Sequence, residues 1–282
     1  MTALKHRDYN KQSDFVCSFT GWSNRIEGVS RRDEISELNI PPEINGRPVT
    51  EIGENAFADM TTLKWAKLPD SVETVRNGAF RNCTALDEVW LGSGLTKLGA
   101  FAFSGCSSLR IVTISDHMKR FEINSFKGCK NLKCIRVVSD PGRIRNFQVA
   151  ADNDESTWMF VNAVTRAADP RSASMDMYDS AFLELQDEDA IYRISVQRLS
   201  NPVDLMPDME MVYRSRLRNM VKSVILRDRV DMLTSIGELD CIDTGSLDYY
   251  IDIASRIGGG CIAYLLEHQY RKSRIGNRDY SL

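Results

Sequence analysis

A block that recurs every 23 residues limits what this chain can fold into more than any other feature. Ala56-Phe57, Ala79-Phe80, Ala102-Phe103 and Ser125-Phe126 keep that interval. Three residues after each Phe stands Met60, Cys83, Cys106 or Cys129, and six after it Leu63, Leu86, Leu109 or Leu132. Ala66, Val89, Val112 and Ile135 come next, each followed two residues later by Leu68, Leu91, Ile114 or Val137. Ile52, Val75, Leu98 and Phe121 lie four residues before the small residue of each block. Such a period means stacked coils, because one coil cannot bury its apolar side without neighbours. The pair two residues apart alternates as a strand does, so both members point inward. The Phe then lies across the coil, where the spacing predicts a short helical or 3₁₀ turn. Asp59, Asn82, Gly105 and Gly128 tolerate left-handed backbone, which predicts a tight turn there in every coil.

The A-F-x-x-C-x-x-L core and the phrase Ile40-Pro41-Pro42-Glu43-Ile44-Asn45-Gly46-Arg47-Pro48-Val49 resemble the BspA-like leucine-rich repeats of bacteria, over residues 33–145. The resemblance implies a right-handed solenoid with a parallel sheet on one face, used to bind macromolecules. It names no ligand.

The expected fold class is α+β: a leucine-rich-repeat solenoid followed by an all-α, ankyrin-like domain. Residues 1–14 read as a flexible lead-in and 15–48 as an N-terminal cap, with Leu38 and Ile40 as an inward pair. The repeats occupy 49–145. Ile144 keeps the ladder register, being Phe121 plus 23. Residues 146–179 read as a linker with a helix over 156–168, stopped by Asp169-Pro170. From 180 to 272 helical spacing takes over. Asn201-Pro202, Gly237 and Gly258-Gly259-Gly260 punctuate the helices. The segment from Tyr250 to His268 resembles an ankyrin helix pair, although the Thr-Pro-Leu-His entry of that family is absent. Residues 273–282 read as a basic, disordered tail.

The functional reading starts from absences of motif. The three histidines, His6, His117 and His268, show no metal or triad spacing, and no CxxC, HExxH or P-loop occurs. The expectation is therefore no enzyme, no metal and no cofactor. Net charge is −3, too small to imply nucleic acid, and no apolar run reaches membrane-spanning length. Met1–Gln12 lacks a signal-type apolar core, which points to the cytoplasm, with the cell surface as the alternative. Three of the seven cysteines fill one ladder position, as small buried apolar side chains do.

Residues flanking the inward pair point out of the sheet. Trp65, Lys67, Glu88, Trp90, Ile111, Thr113 and Arg136 are the candidate partner-binding residues. Strands ~4.8 Å apart make this a face ~19 Å across for five strands. Exposed tryptophan beside charge is the composition of a protein-binding hot spot. The expected role is a scaffold-like protein–protein interaction module using this face and the helical domain. The alternative is an adhesin that takes a host protein or a glycan.

Overall fold

The computed structural model describes residues 10–276 apart from 119, 123, 140–142, 150–174 and 203–204. The chain divides into two compact units, Met1–Leu185 and Gln186–Leu282. The first is a β-solenoid of about five turns with parallel sheets. The helix expected over 156–168 lies outside the described residues.

An antiparallel hairpin, β1 (Phe15–Thr20) and β2 (Ser23–Val29), begins the solenoid. Then come β3 (Glu37–Asn39), β4 (Glu43–Ile44), β5 (Arg47–Ile52), β6 (Trp65–Lys67) and β7 (Thr74–Val75). They are followed by β8 (Glu88–Trp90), β9 (Lys97–Leu98), β10 (Ile111–Ser115), β11 (Arg120–Phe121), β12 (Cys134–Ser139) and β13 (Arg143–Gln148). One sheet runs β13-β12-β10-β8-β6-β3. Its parallel strands pair in steps of one repeat: Trp65 with Glu88, Glu88 with Ile111, Ile111 with Cys134. The second residue of each of these parallel strands (Leu38, Ala66, Val89, Val112, Ile135) is buried, as the alternation requires.

The phenylalanine ladder is a continuous stack. Ring centroids of Phe57, Phe80, Phe103 and Phe126 follow one another at 5.0, 5.0 and 5.6 Å, nearly parallel beyond the first pair. The cysteine ladder has a polar reason as well as an apolar one. Cys83, Cys106 and Cys129 each donate the thiol proton to the carbonyl of Phe57, Phe80 or Phe103 in the preceding coil, all at 3.1 Å. A small buried donor thus satisfies a carbonyl between coils. The neighbouring Cys83 thiol and burial hold Cys106 far above the ordinary thiol range.

The expected left-handed turns are present, with φ of 62° at Asp59, 59° at Asn82, 76° at Gly105 and 75° at Gly128. A second left-handed position, absent from the sequence reading, recurs at Asn55, Gly78, Phe101 and Asn124. Both turn the amide toward the next coil: Asn55 N–H meets Asn77 O at 3.1 Å, and Asp59 N–H meets Arg81 O at 2.7 Å. These two positions shorten the expected helical or 3₁₀ turn to single turns, such as Ala58 N–H to Asn55 O at 3.1 Å and Arg81 N–H to Gly78 O at 2.9 Å. Only three residues separate them, so the Phe side is a run of turns and no helix propagates.

What the other side carries is a second sheet, ordered β1-β2-β5-β7-β9-β11, with β4 paired to β5 through Asn45-Gly46. Ile52, Val75 and Leu98 are its buried rungs. Ile144 is a further correction. The chain reverses after β12 and lays β13 antiparallel, so the 23-residue count no longer applies. Ile144 pairs with Val138 and is 52% exposed, while Phe147 and Val149 point inward. The helix α1 (Asp176–Leu183) belongs to this unit. Its Tyr178 hydroxyl donates to Gln148 O and its ring meets Phe147 edge-on at 6.3 Å.

Among the described residues the second unit has no strand and five α-helices: α2 (Glu188–Ser200), α3 (Pro207–Leu226), α4 (Val230–Glu238), α5 (Leu247–Ile257) and α6 (Cys261–Gly276). Asp187 caps α2 by accepting from Ala190 N at 2.6 Å, and Pro207 opens α3. Gly258, at φ 76°, closes α5. Gly237 lies in the last turn of α4, one residue before its end. A Cβ there would come within 2.1 Å of the Tyr264 hydroxyl, so its role is to let α6 approach. The carboxylate of Asp228, between α3 and α4, accepts from Gly260 N at 3.1 Å and Cys261 N at 2.9 Å. One helix turn is thereby tied to the corresponding turn of the next pair. α6 continues past residue 273, where the sequence reading placed a disordered tail.

Candidate functional site: the outward face of the six-stranded sheet

Strand pairing sorts the outward side chains into two rows. Glu37, Trp65, Glu88, Ile111, Cys134 and Gln148 form one, and Asn39, Lys67, Trp90, Thr113, Arg136 and Asn146 the other. All seven sequence-derived candidates therefore lie in these two rows.

Their environments differ. Trp65, Trp90 and Ile111 are half-buried, each leaving part of its apolar surface to solvent. The Lys67 ammonium lies 5.9 Å from the centre of the Trp90 ring on the neighbouring strand, within cation–π reach. Arg136 reaches over the intervening strand to Glu88 Oε1 at 2.8 Å and donates to Thr113 Oγ1 at 3.4 Å. Both charged side chains are about one-quarter exposed, 23% for Glu88 and 24% for Arg136. Thr113 itself is buried and does not face solvent; the guanidinium of the next strand hydrogen-bonds to it. The face thus offers apolar ring surface beside a held ion pair. Preorganised groups of this kind bind with less lost side-chain entropy than free ones.

Sequence reasoning missed Asn146 and Gln148, which continue both rows on β13. The signal that could have found them was Phe147 and Val149, an apolar pair two residues apart like the inward pair of each coil, with Gln148 between them.

Two other surfaces had no expectation attached. A polar groove of about 530 Å³ crosses the second sheet, lined by Glu51, Glu54, Arg76, Asn77, Lys97 and Glu122 among others. Burial pushes the Glu51 carboxyl up, but Arg76 and Arg25 beside it prevail and hold it below its ordinary value. That makes Glu51 a tie between coils. At the N-terminal hairpin Val16, Phe19 and Trp22 are exposed, and the Arg47 guanidinium lies 4.8 Å from the Phe19 ring centre. Among the described residues no group of three or more His, Cys, Asp and Glu side chains is placed to hold a metal. No described helix is long and apolar enough to cross a membrane.

Comparison with solved structures gives bacterial leucine-rich repeat proteins. The leucine-rich repeat protein of T. pallidum is 21% identical with a TM-score of 0.38, over 45% of this chain and 71% of that one. One from Bacteroides capillosus is 22% identical with a TM-score of 0.39, over 44% of this chain and 94% of that one. A leucine rich cell surface protein from Faecalibacterium prausnitzii is 20% identical with a TM-score of 0.37, over 46% of this chain and less than half, 43%, of that one. No curated protein matches. The family model of the BspA type leucine rich repeat region matches residues 32–149 in six copies, so that segment is similar to this type of repeat.

Proposed function

We propose that this protein is a non-enzymatic interaction module, and that the outward face of the six-stranded sheet docks a protein partner. Leucine-rich repeats of this family commonly mediate protein–protein interaction or adhesion. The observation that carries the reading is the arrangement at the sheet centre: Trp65, Trp90 and Ile111 half-exposed beside the Glu88–Arg136 pair. Large rings next to arginine, fixed on rigid strands, are what protein hot spots are made of. The helical unit adds a second surface. Its ankyrin-like character is part of the proposal, supported by the tie from Asp228 to Gly260 and Cys261 one helix pair later.

The test is a Trp65→Ala/Trp90→Ala variant titrated against a protein captured by the native chain. Binding falls at least tenfold, ~1.4 kcal/mol, with an unchanged melting temperature. Unchanged affinity in the folded variant removes the sheet face from the account. The adhesin reading rests on the same tryptophans, since indole rings also stack on sugars. It is favoured if a glycan array binds the native chain and the double variant does not, and if the native protein fractionates with the cell surface.

A further inference from the structure

The last helix has two apolar sides. Cys261, Leu265 and His268 form the buried one, at helical spacing. Ile262, Leu266 and Tyr270 form another, recurring every four residues. Ile262 is half-buried, but Leu266 is 48% and Tyr270 61% exposed. On α5, joined by the glycine turn and tied by the Gln269–Asp248 hydrogen bond of 2.8 Å, Tyr249 and Ile257 are exposed too. Scattered surface apolar residues are ordinary, but a stripe in helical register on one helix marks a contact face.

The charges beside the stripe say what fits it. Glu267 precedes Arg271 by one helical turn, and the two are ion-paired within α6. An acid one turn before a base is self-complementary when the helix meets an antiparallel copy of itself. A two-fold axis near residue 268 sets Leu266 against Tyr270 of the second copy. In that same register Glu267 and Arg271 of the second copy stand two residues, ~3 Å, apart along the axis, a gap their long side chains span. One register therefore serves both the apolar and the charged contacts. A parallel pairing would instead bring Glu267 against its own copy. We infer that α6 is a self-association face, pairing antiparallel with α6 of a second copy of this chain.

Sedimentation velocity on the full chain tests this. A monomer–dimer equilibrium is expected as the concentration rises from ~1 to ~100 µM, the range of a modest interface. Leu266→Arg, which leaves the buried side of α6 untouched, weakens the dimer at least tenfold. Glu267→Arg weakens it by like-charge contact, and Glu267→Arg/Arg271→Glu restores it. Thermal melts of the variants match the native protein. A monomer throughout the range, or a dimer indifferent to Leu266→Arg, overturns the inference. Failure of the charge swap to rescue Glu267→Arg overturns the antiparallel register.

Discussion

At the scale of single residues, the solenoid is held by positions that repeat, so each costs more than its own contacts. Phe80 and Phe103 have a ring on either side. Phe80→Ala or Phe103→Ala is expected to lower the unfolding free energy by about 3–5 kcal/mol in urea titration, against about 0.5 kcal/mol or less for the exposed Lys64→Ala. Phe101 goes the other way. It holds φ 57° at a position where the other coils have Asn55, Gly78 and Asn124, and it is 42% exposed. An aromatic residue in left-handed backbone carries a penalty of about 1–2 kcal/mol, so Phe101→Asn is expected to stabilise by about 1 kcal/mol. A loss on that substitution would show that the Phe101 ring contributes contacts worth more than the backbone strain. The two ladders were legible in the sequence because both recur as residue types. The second left-handed position was not, because Phe101 interrupts an otherwise consistent Asn and Gly column.

At the scale of elements, legibility follows length. The strands of the candidate face were readable from an inward pair two residues apart. The second sheet was not: Thr74–Val75, Lys97–Leu98 and Arg120–Phe121 are two-residue strands, too short to show alternation. The reversal into β13 broke the count by which Ile144 had been placed. Thr113 was assigned outward correctly by parity, yet it is covered by Arg136 from the next strand, and parity along one strand carries no such information. The helices were legible from spacing and from Pro207 and Gly258. One of them carries a titratable weak point. His268 on α6 is buried and its Nε2 has no hydrogen-bond partner. Burial, with the Lys272 and Arg271 cations, holds its pKa below 6.5, while Asp240 opposes them. The unfolded chain therefore takes up the proton first. Stability from this group is constant above the unfolded value and falls as pH drops from it toward the folded value. The melting temperature of the helical unit is expected to be lower at about pH 5.5 than at about pH 7.5, and His268→Leu to flatten that difference. An equal slope in the variant would assign the effect to other groups.

At the scale of the whole molecule, the chain joins a solenoid to a separate helical unit, and the functional account rests on the solenoid's six-stranded sheet. Six parallel or antiparallel strands hold two rows of side chains in fixed register, which no loop-built surface does as rigidly. The opposite sheet has a different character: its groove is polar and its Glu51 is committed to Arg25 and Arg76. The most direct test compares the two faces in one experiment. A photo-reactive side chain is placed at Ile111, at the centre of the candidate face, or at Lys97, exposed on the other sheet. Each protein is then irradiated with a partner captured by the native chain. The account predicts a covalent adduct from position 111 and none from position 97. An adduct from position 97 alone, or none from 111 while the partner remains bound, would contradict it.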